Sequence, residues 1–226
     1  MSPNPVLSVD PALEPRSARA ALVVARGLPG CPPIGAPGPF LAELLERVRA
    51  AGEAWLPEAR KKAVRDLLRH GVYKPAGRAK PSSEYLVAAA LDGSFPFVNG
   101  PVDACNAASL ESGYPASVFD LALTGPALEL SRGRAGESYV FNASGQEIDL
   151  EDLLLVRRRL ADGTFAPCGN PVKDSMATKV FEGCREAVGV VYAPRSDPVA
   201  ALEACASRFA ELLRAAGATE VSYSIV

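Results

Sequence analysis

Two turn signals set inside strand-like runs constrain this chain most. In ESYVFNASGQEIDL (137–150) and LLLVRRRLADGTFAPCG (153–169), the NASG and ADG turns interrupt apolar or alternating residues. Such turns reverse the chain and pair its neighbours antiparallel, so both stretches predict β-hairpins. SVFDLAL (117–123) and LELSRG (128–133) read as further short strands, as do ALVVARGL (21–28), VGVVYAP (188–194) and EVSYSIV (220–226).

Helical periodicity occupies the rest. FLAELLERVRAAG (40–52) and the stretch from Pro57 to His70 are amphipathic, the second closed by Gly71. EYLVAAALDG follows Ser82 or Ser83 as N-cap, PVDACNAASLESG (101–113) starts with Asp103 in the capping role and stops at Gly113, and a long helix runs from Pro198 to about Ala216. Residues 27–39, GLPGCPPIGAPGP, form a Gly/Pro loop. Strands in runs flanked by helices define an α+β fold with antiparallel sheets, not a regular βαβ repeat.

A hydrophobic content of 48% with 22% charged residues is that of a globular chain with a real core. No apolar run approaches the ~18 residues of a membrane span, and the proline-rich N-terminus lacks the basic and apolar regions of a secretory signal. A cytoplasmic location is expected. The five cysteines are odd in number and contain no CxxC pair, and His70 is the sole histidine, so no disulfide framework, metal or organic cofactor is expected.

The net charge of −2 conceals a local excess. From Arg60 to Lys80 the basic residues Arg60, Lys61, Lys62, Arg65, Arg69, Lys74, Arg78 and Lys80 face one acid, Asp66. Lys61, Arg65 and Arg69 step by four along one helix face, which makes a basic ridge suited to phosphates or, as for most such runs, to water. Arg78, Lys80 and Glu84 stand in a loop of Gly, Pro and Ser, a composition that favours ligand contact over mere solubility.

One segment carries more than composition. In FPFVNGPVDACNAASLESGYPASVFDL the residues Val102, Asp103, Asn106, Leu110, Glu111, Gly113, Pro115, Phe119 and Asp120 occur in an order and spacing continued by Gly136, Glu137, Gly145, Leu150 and CGNPVKDSMAT (168–178). This skeleton resembles the B3/B4 domain, the editing module of the phenylalanyl-tRNA synthetase β subunit. The resemblance covers the central half of the chain and includes none of the synthetase's catalytic motifs. It implies a free-standing domain, here 56–226 with residues 1–55 as an N-terminal lobe or wrap, that receives the 3′ end of a mischarged tRNA and hydrolyses the wrong ester, typically a tyrosyl ester on a phenylalanine tRNA. Where the family pattern has a histidine and a glutamate associated with the pocket, this chain has Ser117 and Asn170.

Ester hydrolysis needs a positioned water and donors for the oxyanion. The resemblance and the residue chemistry point to Ser117, Asn170, Asp174 and Thr178 as catalytic candidates. Arg78, Lys80, Glu84, Asn106, Gly169 and Ser175 are candidates for substrate binding, and Lys61, Arg65, Arg69 and Lys74 for RNA. Asn170 between Gly169 and Pro171 equally fits a turn-former, and Ser117 and Thr178 equally fit satisfied strand hydroxyls. Two other readings remain open: a non-catalytic module that binds tRNA, an amino acid or a nucleoside, and an unrelated hydrolase using Cys168 as nucleophile.

Overall fold

The computed structural model describes residues 3–13 and 18–226. In chain order the elements are β1 (Val6–Val9), β2 (Ala18–Arg26), α1 (Pro39–Ala51), α2 (Glu58–Leu68), α3 (Ser82–Asp92), α4 (Gly100–Ser112), β3 (Ala116–Asp120), α5 (Leu121–Thr124), β4 (Ala127–Arg132), β5 (Ser138–Val140), β6 (Glu147–Asp149), β7 (Leu154–Arg159), β8 (Phe165–Gly169), β9 (Glu186–Pro194), α6 (Val199–Ala215) and β10 (Glu220–Ile225). Both hairpins form as their turn residues predict: β5 pairs with β6 and β7 with β8, each antiparallel.

The strands make two four-stranded sheets and the small β5–β6 ribbon. One sheet runs β10-β2-β9-β3 and is antiparallel throughout. The other runs β1-β4-β7-β8, antiparallel except where β1 lies parallel to β4. The architecture is therefore α+β, with antiparallel sheets flanked by helices.

Strand periodicity explains the layering. Along β2, Ala21, Val23 and Ala25 join a core with α1, α3, α4 and α6, while Ala20, Leu22 and Val24 join a second core with β4, β7 and β8. Strand β9 divides the same way: Ala187, Val191 and Ala193 face the helices, and Val188, Val190 and Tyr192 face the other sheet. A sheet covered on both faces is built from nearly continuous apolar runs, which is how ALVVAR and VGVVYAP read. Ser117 and Phe119 of β3 pair with Val190 and Val188 and share their inward face.

Several element ends differ from expectation for local reasons. Asn99, not Asp103, caps α4 by accepting a hydrogen bond from the Val102 amide (3.2 Å), while Asp103 Oδ1 accepts one from Val98 N (2.9 Å) one turn earlier. Gly113, left-handed at φ +74°, ends that helix as expected. Ser82 and Ser83 lie within the first turn of α3, whose N-cap position is Pro81. The run SVFDLAL breaks at Asp120, whose Oδ1 accepts from Ala122 N (2.9 Å) and starts α5, so Asp120 is a cap. Helix α2 ends at Leu68, before a turn in which His70 and Tyr73 form an isolated bridge.

Candidate functional site

Strand β8 ends at Gly169, and the loop 170–178 folds back on the strand's end through Ser175 N and the Cys168 carbonyl. Asn170 builds that loop. Its Oδ1 accepts from the amides of Val172 (2.8 Å) and Lys173 (2.9 Å), and its Nδ2 donates to the Tyr139 hydroxyl (2.6 Å), which in turn donates to the Lys173 carbonyl (2.6 Å). This is an asparagine turn reinforced by a side-chain anchor. Ser117, fully buried on β3, donates from Oγ to the Asn170 carbonyl (3.3 Å) and shares a hydrogen bond with the Tyr192 hydroxyl (3.0 Å). Ser175 N donates to the Cys168 carbonyl (3.0 Å) and its Oγ accepts from Ala177 N (3.3 Å), which opens a 3₁₀ turn. At the end of that turn, buried Thr178 Oγ1 also reaches the Cys168 carbonyl (3.0 Å).

Asp174 is the chemically unusual member. Its Oδ1 is buried without a hydrogen-bond partner among the described residues. Gly169 makes room for it: a Cβ there would lie 2.3 Å from the Phe119 ring and 2.5 Å from Asp174 Oδ1. Burial pushes the Asp174 carboxyl up to about 7, while the Ser117 hydroxyl, the Lys179 cation and the amides of Val118 and Asn170 pull the other way. Its neighbours respond to the same environment, since burial and then the Asp174 charge raise the hydroxyls of Tyr139 and Tyr192. Cys168 does not suit a nucleophile: it is buried, its Sγ donates to the Val156 carbonyl (3.3 Å), and burial with Asp174 nearby holds the thiol protonated.

Beside this cluster opens a cleft of about 850 Å³. Lys74, Arg78 and Lys173 contribute cations, Tyr73 and Phe141 contribute rings, and Glu147, Asp149 and Glu151 contribute carboxylates. The Lys173 ammonium lies 3.9 Å from the centre of the Phe141 ring, and burial followed by Arg78 lowers its proton affinity. The cluster and the cleft meet at consecutive residues, with Lys173 lining the cleft and Asp174 inside the cluster.

The structure thus gathers Ser117, Gly169, Asn170, Asp174, Ser175 and Thr178, and places Lys74 and Arg78 in the adjoining cleft. Other candidates lie elsewhere. Glu84 and Arg65 form a bidentate pair (2.6 and 2.5 Å) between α3 and α2. Lys80 is half-buried between the Gly77–Ala79 turn and α3, and Asn106 is half-buried on α4. Along the ridge Lys61 pairs with Glu58 (2.6 Å), and Arg69 with Asp66, which also holds Lys62 (2.7 Å). Sequence reasoning missed Tyr139, Lys173, Lys179 and Tyr192. Tyr192 carried no distinguishing signal within VGVVYAP, and Lys173 carried only its position inside CGNPVKDSMAT.

No group of three or more His, Cys, Asp and Glu side chains that could hold a metal occurs among the described residues. No helix among them is long and apolar enough to cross a membrane.

What the fold and cluster define is an α+β protein with a buried polar site between two sheets. No protein-family model matches the chain, and no curated protein does. Among solved structures it is similar to an N-terminal fragment of the phenylalanyl-tRNA synthetase β subunit from Pyrococcus horikoshii, at 11% identity and a TM-score of 0.49 over 99% of this chain. The chain spans about half (51%) of that fragment.

Proposed function

We propose that this protein is a cytoplasmic, trans-acting editing hydrolase that removes the amino acid from a mischarged tRNA of the phenylalanine type, a tyrosyl ester being the first substrate to consider. The observation that carries the reading is Asp174, whose carboxyl burial pushes up to about 7, whose Oδ1 is buried without a partner among the described residues, and which follows directly on Lys173 of a cleft that also holds Lys74 and Arg78. The ordered skeleton from Val102 to Thr178 supports it from the sequence side.

In this reading Lys74, Arg78 and Lys173 hold the terminal phosphates. Asp174 takes a proton from the water that attacks the ester carbonyl, and the released ribose hydroxyl receives a proton as the carbon–oxygen bond breaks. Neither metal nor organic cofactor takes part. A panel of purified mischarged tRNAs, beginning with tyrosyl-tRNA of the phenylalanine type, tests it. Release of one amino acid that rises with pH through about 7 and disappears in Asp174→Asn is expected; wild-type protein that releases none sinks it.

A second reading, non-catalytic binding of tRNA, an amino acid or a nucleoside, is favoured by one observation. Ser117, Asn170 and Thr178 are buried and hydrogen-bonded within the protein, which leaves them little capacity for a substrate. Salt-sensitive tRNA binding without release in the same panel supports that reading.

A further inference from the structure

A second cleft, of about 800 Å³, opens on the other side of the segment that follows α2. Its walls come from α2, the turn after β1, the β4–β5 connection and the β9–α6 connection. Lys62, Arg69, Arg132, Arg134 and Arg195 line it against two acids, Asp10 and Asp66. A cleft with three cations in excess is conspicuous on a chain whose net charge is −2.

The excess is not spread evenly. Asp66 serves both Lys62 and Arg69, and Arg132 donates to the carbonyls of Asp152 (3.0 Å) and Leu67 (3.3 Å). Arg134 and Arg195 are exposed, and neither makes an ion pair among the described residues. They sit on separate connections that only the tertiary fold brings to one cleft. Burying an acid between them would satisfy both, and among the described residues the cleft walls supply none beyond Asp10 and Asp66.

The two clefts share one piece of backbone. His70 lines this cleft and Val72 the other, two residues apart and so separated by at most about 7 Å of chain. Both clefts thus border the turn after α2, so a single RNA strand laid across it would meet Lys74 and Arg78 in one cleft and Arg134 and Arg195 in the other.

We propose that this second cleft binds the phosphate backbone of the tRNA acceptor strand, with Arg134 and Arg195 as the principal phosphate contacts in place of the ion-paired ridge of α2. The inference rests on the tRNA reading above and adds to it the track by which the RNA reaches the site. Guanidinium groups suit this role because their fork matches phosphate oxygens and keeps its charge at all relevant pH.

Fluorescence anisotropy over a series of salt concentrations tests it, with two probes: an uncharged phenylalanine-type tRNA transcript and a short single strand ending in CCA. The double variant Arg134→Ala, Arg195→Ala should bind the tRNA about 10- to 100-fold more weakly near 0.1 M salt, with a salt slope smaller by about two. Its binding of the short strand should stay unchanged. The charge-preserving pair Arg134→Lys, Arg195→Lys should recover most of the loss, and Arg159→Ala, an exposed arginine on β7, should behave as wild type. A double variant that binds tRNA like the wild type overturns this inference and leaves the functional reading standing. Wild-type protein that binds neither probe overturns both.

Discussion

Asp174 ties stability to pH at the scale of a single residue. An unfolded aspartate has its carboxyl near 3.8, whereas burial raises the folded one to about 7. Between those values the folded protein holds a proton that the unfolded chain releases, so this residue's contribution falls as pH rises from about 4 to about 7. That separation between folded and unfolded chain corresponds to at most about 4 kcal/mol. Urea unfolding at both ends of that window should show wild type losing stability relative to Asp174→Asn as pH increases; parallel pH profiles for the two proteins refute the assignment. Gly169 gives a second test. An added methyl meets the Phe119 ring and Asp174 Oδ1 at 2.3 and 2.5 Å, so Gly169→Ala should cost about 1–3 kcal/mol in the same measurement. The order of residues in CGNPVKDSMAT already singled out Gly169, Asn170, Asp174, Ser175 and Thr178. That Asn170 mainly shapes the loop follows from two amides and the Tyr139 hydroxyl converging on it, which residue order alone leaves open.

Among the elements, one buried arginine joins three pieces of chain. Arg157 of β7 is 1% exposed. Its Nε donates to Ser131 Oγ (2.8 Å) on β4, Nη2 to the Arg132 carbonyl (3.0 Å), and the guanidinium grips both oxygens of Glu137 (2.8 and 2.7 Å) just before β5. Removing the carboxylate leaves a buried cation with only neutral partners, so Glu137→Gln should destabilise the fold by about 3 kcal/mol, seen as a lower urea midpoint with unchanged slope. Because the Arg157 hydrogen bond holds the Glu137 carboxyl below its ordinary range, that stabilisation is present above the unfolded pKa and is lost as pH falls through the lower folded value. LLLVRRRL showed a strand with three arginines in succession, and period two sends the middle one to the opposite face from its neighbours. That Arg157 is buried while Arg159, two residues on, is exposed was invisible until Ser131 and Glu137 took their places around the Arg157 guanidinium. The α2 ridge has the same history in reverse. Its four-residue spacing was legible, but the acids that neutralise Arg65 and Lys61 are Glu84 and Glu58, outside the basic run.

For the whole molecule the decisive fact is where β2 lies. It pairs with β9 over nine residues and with β10 over six, so it is interior to its sheet, and its two faces feed both cores. A chain beginning at residue 56 would expose the facing edges of β9 and β10 and lose the wall shared by both cores. It should lack a cooperative thermal transition by circular dichroism, while the full chain melts in one; a sharp melt for the shortened chain rejects this dependence. The sequence by itself determined most element types, the two hairpins and the α+β class, though not β1 or the α5 turn, because periodicity, caps and turns act over a few residues and are written into neighbouring side chains. Only the tertiary structure decided that Ser117 meets Asn170 and Tyr192, 53 and 75 residues away, that Asp174 Oδ1 is buried, and that Arg134 and Arg195 share a cleft. Contacts across such separations arise from the packing of whole sheets, and no local pattern encodes which faces will meet.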